Sequence, residues 1–560
     1  MADTQRIVGT ADLSRIEAPV TWRAYLICGF ASFGGLNFFH WTDEMTTDSI
    51  LLGILFGYDS GYISGVLGMD YVKEYFGHAV SKSVDPSGFI LASWQKSLIT
   101  SILSAGTFFG ALIGGGVSEE IGRRMTIMMS CLVFAIGVAI QTGSVNVGGL
   151  VAGRLIAGFG VGGVSSTVVL YVSEISPRKV RGLLVAIYQW AITIGLLVSS
   201  GVDQGSKDRV DRSSYRIPIG IQFVWAGILA TGLFLLPESP RYYVRKGRLD
   251  AARQSLVRVR GQPETDPCIQ AELAEIKANY DYEKQIASTS WLDCFKGGLA
   301  PSGNLRRVLA GTCLQMFQQW TGINFIFYYG TTFFQQVGMS NPFLMSTAMN
   351  VVNVGSTPAT FYMIERFGRR TLLLYGAATM CLCEFIVAIV GVADKTGHAA
   401  NICLIVFTCF YIATFAVTWG AAAWVIIGEL FPLPIRAKGV ALSTASNWLW
   451  NCVIAVVTPY MVDQDKGNLG VKVFFVWGSA LSLCYLFAYF VIPETKGLTL
   501  EQVDKMLEET TPMTSAKWVP HGTFAQEMGM TPESVEKAPG QQTTEVAPEV
   551  STPEQQTEAV

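Results

Sequence analysis

Long apolar runs, broken by short stretches rich in charge, follow one another along most of the chain. They fall near 22–35 continued at 54–69, then at 97–118, 125–143, 148–171, 182–202 and 217–236. A second set falls near 306–333, 343–364, 371–393, 401–428, 438–462 and 471–492. A helix of about 20 apolar residues, rising 1.5 Å per residue, crosses a hydrocarbon core of roughly 30 Å. The pattern predicts an all-α membrane protein with twelve transmembrane helices in two six-helix bundles. Between the sets, charge-rich helical patches (LDAARQSLVRVR and CIQAELAEIKANYDYEKQ) read as a linker carrying short helices outside the membrane. The expected organisation is a 1–21 N-terminal segment, a 22–240 bundle, a 241–305 linker, a 306–495 bundle and a 496–560 tail. The tail ends in KAPGQQTTEVAPEVSTPEQQTEAV, polar and proline-bearing, so it is expected to be largely disordered.

The stretch from Gly153 to Gly182 (GRLIAGFGVGGVSSTVVLYVSEISPRKVRG) organises the first half. Its glycines, Gly158, Gly160, Gly162 and Gly163, suit a helix pressed against neighbouring helices in lipid. Arg154 sits at the end away from the charged tail of this stretch, where an unpaired arginine is expensive. It is expected to face a partner or a wet cavity, the bland alternative being a side chain that reaches out to the interface.

Composition narrows the class. Half of the 560 residues are hydrophobic and 15% are charged, against roughly a quarter in soluble domains. Mean hydropathy is +0.37. A net charge of −3 with no basic tract gives no reason to expect nucleic acid. The eleven cysteines are scattered and show neither metal spacing nor a disulfide framework. The N-terminus lacks the basic and apolar regions of a cleaved signal, so the first span is expected to direct insertion. Basic residues cluster in alternate loops, which puts both termini and the linker in the cytoplasm.

Three motifs recur in order at offsets of about 250 residues. EEIGRR (119–124) returns as ERFGRR (365–370), EISPRKVRG (174–182) as ELFPLPIRAKG (429–439), and PESPR (237–241) as PETKG (493–497). Two homologous halves stand in tandem. Together with the GR-x₃-GxGxG run and the QQ-x₂-GIN run, these motifs resemble the sugar porter family of the major facilitator superfamily from Tyr25 to Asp504. RAKGVALSTASNWLWN further resembles fungal hexose transporters. The resemblance implies two rigid bundles that expose a central sugar site alternately to each side, in the plasma membrane. It also implies cytoplasmic gating charges at Glu119, Arg123, Arg124, Glu174, Arg181, Glu365, Arg369, Glu429 and Arg436. Such charges also fix topology, so the two roles coexist.

One segment departs from the family pattern. Leu36–Gly53 interrupts a first span that would otherwise be continuous, and brings Asp43, Glu44 and Asp48 without a base. Each acid at mid-bilayer costs about 2.5–3.5 kcal/mol. Residues 36–53 therefore read as a translated intron or mis-spliced product; alternatively the span starts near Ser49.

A sugar presents hydroxyls that both donate and accept, and weakly apolar C–H faces. Amides offer a donor and an acceptor side by side without charge, and an aromatic ring covers the C–H side. The seventh span carries Gln315, Gln318, Gln319 and Asn324, with Gly322 able to loosen the helix between them. Asn447 and Asn451 share one face of the eleventh span. By resemblance, Gln189, Gln318, Gln319, Asn324, Asn353, Trp424 and Asn451 fall on sugar-contact positions, while the role of Asn447 stays open. Buried amides also glue helices together, and that is the competing reading. In the tenth span WGAAAW lacks the prolines of some relatives, which puts its gating flexibility in doubt.

With 36–53 removed, Asp59 lies about twenty residues beyond Trp22, and Arg154 about twenty residues before Glu174. Both are then roughly 30 Å from the cytoplasmic helix ends, and an acid and an arginine at one depth are natural partners. By resemblance Asp59 is the proton carrier. The expected activity is uptake of a hexose, glucose first, by proton symport. A facilitative uniporter or a glucose sensor of the same fold is the alternative. No catalytic grouping and no nucleotide-binding loop occur, so neither enzyme activity nor a cofactor is expected. The expected partners are a sugar, protons and the bilayer.

Overall fold

The structure, a computed structural model, describes residues 48–519 except 82–86, 177–180, 235, 287–289, 301–302, 337–340, 394–397, 433–434, 464–465 and 499. The apolar run at 22–35 and most of the 36–53 segment lie outside the described residues. The first half comprises α1 (Asp48–Gly68), α2 (Asp70–Phe76), β1 (His78–Ala79), β2 (Phe89–Ile90), α3 (Ser93–Ile121), α4 (Arg123–Gly143), α5 (Val147–Ile175), α6 (Arg181–Ser206), α7 (Ser213–Gly220) and α8 (Gln222–Leu233). The linker holds α9 (Pro240–Arg245), α10 (Leu249–Arg260), α11 (Pro267–Ile286) and a 3-10 turn over Trp291–Phe295. The second half comprises α12 (Asn304–Trp320), α13 (Ile323–Gln336), α14 (Pro342–Ser356), α15 (Ala359–Phe367), α16 (Arg369–Ala393), α17 (His398–Val417), α18 (Trp419–Leu430), α19 (Arg436–Val462) and α20 (Val473–Val491). The tail contributes α21 (Leu500–Glu509). The two short strands pair antiparallel, His78 opposite Ile90.

Among the described residues, eight helical stretches are long and apolar enough to cross a membrane, each on an expected span. Helices α1, α6, α12 with α13, and α14 with α15 occupy the positions of the remaining four. Large side chains such as Phe109, Ile113, Leu132, Leu382 and Phe490 point outward, as a lipid-facing surface requires.

Glycines decide how α5 sits. A Cβ on Gly158 would lie 2.3 Å from the Leu103 carbonyl oxygen of α3, and one on Gly162 2.2 Å from that of Thr107. On the other face, a Cβ on Gly160 would lie 2.6 Å from the Phe134 nitrogen of α4. Alternating faces of α5 thus press backbone to backbone on both neighbours, which any larger residue would prevent. The helix is apolar all round and buried almost throughout.

In the linker, Val244, Ala252, Leu256, Ile269, Leu273 and Ile276 form a small core of their own. At the start of the tail, α21 buries Val503 and Met506, and Asp504 pairs with Arg307 of α12. Its apolar face (Val503, Met506, Leu507) at helical spacing covers the end of the second bundle. Residues 520–560 lie outside the described residues.

Candidate functional site

Two helix breaks shape the middle of the second half. Gly322 takes a left-handed φ of +86° between α12 and α13, where a Cβ would lie 2.6 Å from Trp477. Glycine is needed there on both counts. The Tyr411 hydroxyl donates to the Thr321 carbonyl at 2.8 Å and holds the break in place. The tenth span breaks at Thr418 (φ −120°, ψ −87°) without any proline. The alanine-rich WGAAAW run therefore does not prevent a discontinuity.

These breaks gather the amides. Gln318 Nε2 donates to the carbonyls of Trp419 (3.0 Å) and Gly420 (3.2 Å). Asn447 Nδ2 donates to Gln318 Oε1 and Gln315 Oε1, both at 2.7 Å. Gln319 Oε1 accepts from Asn324 and, at 3.1 Å, from Asn451. Asn451 Nδ2 also reaches the Tyr328 hydroxyl at 3.0 Å, and its Oδ1 accepts from Ser104 of the first half at 2.6 Å. Trp448 Nε1 donates to Ser165 Oγ at 3.3 Å, also across the halves. Gln318, Gln319, Asn324 and Asn451 are thus brought together. The Gln189 amide nitrogen would lie 3.5 Å from a Cβ on Gly420, beside the same network. Asn353 and Trp424 are buried, but no hydrogen bond among the described residues joins them to it. Tyr328 and Ser104 went unnoticed in the sequence; Tyr328 could have been found, one turn from Asn324 on α13.

The acid and arginine of the first half behave differently from expectation. Asp59 is fully buried and neither oxygen receives a hydrogen bond. Arg154 is also buried, yet makes no ion pair with Asp59 in this conformation; it donates to the Tyr62 hydroxyl at 2.5 Å. That hydroxyl donates to Gln141 Oε1 at 2.9 Å, and the guanidinium stands 5.5 Å from the Tyr62 ring centre. Tyr62, one helical turn from Asp59 on α1, takes the Arg154 guanidinium in its place. Sequence spacing sets depth but not which neighbour a long side chain takes.

At the charged helix ends the sequence repeat becomes a structural one. Arg123 pairs with Glu174 at 2.8 Å, and the Ser239 hydroxyl donates to Glu174 at 2.5 Å. Glu238 accepts the backbone N–H groups of Arg123 and Arg124, each at 3.0 Å. In the second half Arg369 pairs with Glu429 (3.1 Å) and Glu365 (3.3 Å), and Thr495 donates to Glu429 at 2.7 Å. Glu494 accepts the N–H groups of Arg369 (2.9 Å) and Arg370 (3.1 Å). Each carboxylate of the PES and PET motifs thus caps the helix that follows GRR, where unpaired N–H groups favour an anion. Gly122 and Gly368 (φ +96° and +90°) leave room for these carboxylates, which a Cβ would meet at 2.4 and 2.3 Å. Arg124 and Arg370 donate to the Phe234 and Tyr489 carbonyls at 2.9 and 2.8 Å. Arg436 donates to the Phe431 carbonyl at 3.0 Å, and the Arg181 side chain lies outside the described residues.

One pair crosses the halves. Lys438 of α19 meets Glu119 of α3 at 3.1 Å, and Arg245 of the linker meets the same glutamate at 3.5 Å. Lys438 belongs to the second copy of the repeated motif, ELFPLPIRAKG. At the opposite end the halves meet again, Ser64 donating to Thr331 at 3.2 Å and Lys96 pairing with Asp463 at 3.2 Å. The halves are thus joined on both sides of the amide network.

Repeat-related helical halves that meet on both sides of a polar centre define a multi-pass membrane transporter of the major facilitator type. More narrowly, the chain belongs to the sugar transporter family: the family described as "Sugar (and other) transporter" matches residues 45–507. It is 43% identical over 514 residues to the major facilitator-type transporter ecdD of Aspergillus rugulosus, covering 90% of each chain. It is 43% identical over 470 residues to the high glucose sensor RGT2 of Saccharomyces cerevisiae, covering 83% of this chain and 61% of that one. It is 38% identical over 478 residues to the low-affinity glucose transporter HXT3 of the same yeast, covering 84% and 82%. Among solved structures, the proton:xylose symporter XylE bound to 6-bromo-6-deoxy-D-glucose superposes with a TM-score of 0.72 at 25% identity, covering 88% of this chain and all of that one. Inward-open XylE from E. coli gives 0.61 at 26% identity, covering 82% and 98%. The family is one of transporters, not enzymes.

Proposed function

We propose that this protein imports a hexose, glucose first, by proton symport with alternating access. Twelve spans in two six-helix bundles, short linker helices and both termini on the cytoplasmic side, and residence in the plasma membrane complete this reading. The observation that carries it is the amide network of Gln318, Gln319, Asn324, Asn447 and Asn451, tied to the first half through Ser104. Paired amide donors and acceptors at the seam of two bundles suit a neutral polyol, and a sugar bound there can exchange their mutual bonds for its own. The charged ends act as the cytoplasmic gate: Arg123–Glu174 and Arg369–Glu429 hold each bundle, and Glu119–Lys438 holds the bundles together.

Proton coupling is favoured by Asp59. An ionised carboxylate is costly to bury without a donor, and Arg154 has spent one donor on Tyr62. Taking up a proton removes that charge, and releasing it invites Arg154 back, so the acid has two states to alternate between. XylE is named a proton:xylose symporter, which agrees. The test is radiolabelled glucose uptake in cells lacking their own hexose carriers. Uphill accumulation that collapses with an uncoupler is expected, and Asp59→Asn should abolish it while sparing exchange. Uptake that stops at equilibration and ignores uncouplers would make the protein a uniporter. A sensor is the second reading, favoured by the 43% identity to RGT2; binding without any uptake would establish it.

A further inference from the structure

The function just proposed leaves one buried acid of the second half unused. Glu384 lies in the apolar middle of α16, 2% exposed, and its Oε2 receives no hydrogen bond. An ionisable side chain inside a spanning helix is costly and needs a partner. The groups that face it are the Tyr411 hydroxyl of α17, the Cys484 thiol of α20, and Cys381 and Cys383 of its own helix. Arg370 on α16, Lys472 ahead of α20 and His398 on α17 stand fourteen, twelve and thirteen residues from Glu384, Cys484 and Tyr411. That is roughly 20 Å of helix in each case, out of reach of an ion pair. Glu365 of α15 and Glu429 of α18 pair with Arg369 at the charged end.

The donor protons around Glu384 are already committed. Tyr411 gives its one proton to the Thr321 carbonyl at 2.8 Å. Cys484 Sγ donates to the Phe317 carbonyl and Cys381 Sγ to the Gly478 carbonyl, both at 3.4 Å. A carboxylate would therefore face lone pairs on the phenolic oxygen, whereas a neutral acid can donate its own proton to that oxygen. Ionised, Glu384 would instead draw the Tyr411 proton off Thr321, because a charged acceptor makes the stronger bond. Thr321 matters to the sugar site. It closes α12 two residues after Gln319, its hydroxyl donates to the Gln318 carbonyl at 2.7 Å, and Asn324 follows the left-handed turn at Gly322.

We propose that Glu384 is a positioning residue for the sugar site: as a neutral acid it donates to the Tyr411 oxygen, keeps the Tyr411 proton on the Thr321 carbonyl, and so fixes the break that sets Gln318, Gln319 and Asn324. The proposal rests on the hexose reading above. Its first test is independent of sugar. Infrared spectra of the purified full-length chain at neutral pH should show the carbonyl stretch of a protonated carboxyl that Glu384→Gln removes. The second is binding of radiolabelled D-glucose. Glu384→Leu fills the space without a donor and should weaken binding roughly two- to tenfold, the worth of one neutral hydrogen bond. Glu384→Gln keeps a donor and should bind more tightly than Glu384→Leu, whereas a side chain that only packs in an apolar setting would give the reverse order. Tyr411→Phe should weaken binding as Glu384→Leu does, and the double variant should lose no more than either single one, since all three break the same chain of bonds. An unchanged carboxyl band in Glu384→Gln, Glu384→Leu binding as tightly as Glu384→Gln, or additive losses would each overturn the assignment while leaving the hexose reading intact. A wild-type chain that binds no glucose sinks the hexose reading and takes the positioning role with it.

Discussion

Lys438→Met removes the cross-bundle pair at the charged end. The ammonium and the Glu119 carboxylate meet at 3.1 Å, with side chains 4% and 11% exposed. Breaking a buried pair outright costs about 3–5 kcal/mol, but Arg245 stays 3.5 Å from Glu119 and compensates part of its charge. The loss should be nearer that of one charge-assisted hydrogen bond, about 1.5–3 kcal/mol. It falls on the closed state alone, because separated halves leave both groups in water. The population should move toward the open form by roughly 10- to 150-fold. Cys294 is a native reporter: it is fully buried in the turn Trp291–Phe295, where Trp291 packs 4.0 Å from the Cβ position of Gly116 on α3. Burial pushes its thiol up to about 11, with Lys438 nearby opposing that rise. Only the thiolate reacts, so maleimide labelling should be slow at neutral pH and gain about tenfold per pH unit until near that value. Losing the lysine would slow labelling through local electrostatics, whereas opening speeds it, so the sign separates the two. Faster Cys294 labelling, read by peptide mass spectrometry at fixed pH, is expected in Lys438→Met and not in Lys438→Arg. Unchanged or slower labelling in Lys438→Met would refute the gate.

Gln319→Ala removes the acceptor shared by Asn324 and Asn451 and should weaken glucose binding several-fold, at about 0.5–1.5 kcal/mol per neutral hydrogen bond, with surface level retained; unchanged affinity would take it out of the site. Gly322→Ala should cost more, because a left-handed φ adds about 1–2 kcal/mol and the Cβ overlaps Trp477; a lower melting temperature of the purified protein checks it. Residues 36–53 are expected to be absent from the working protein, so a peptide running from Gly35 into Ile54 should be found by mass spectrometry; insert-bearing message alone, with a product that carries sugar, would overturn this.

The sequence determined the spans, the doubled halves and the identity of the polar residues in the middle, because hydrophobic length and motif repetition are local properties. Residues such as Gln318 and Asn324 were legible for the same reason: an amide in an apolar run has to be satisfied by something. What satisfies it is a tertiary matter. Only packing shows that Asn447 bridges Gln315 and Gln318, and that Arg154 bonds to Tyr62 and not to Asp59. Only packing turns the PES and PET glutamates into helix caps, since a capping carboxylate can come from any distance along the chain. The Glu119–Lys438 contact joins residues 319 positions apart, and no periodicity encodes a bond over that separation.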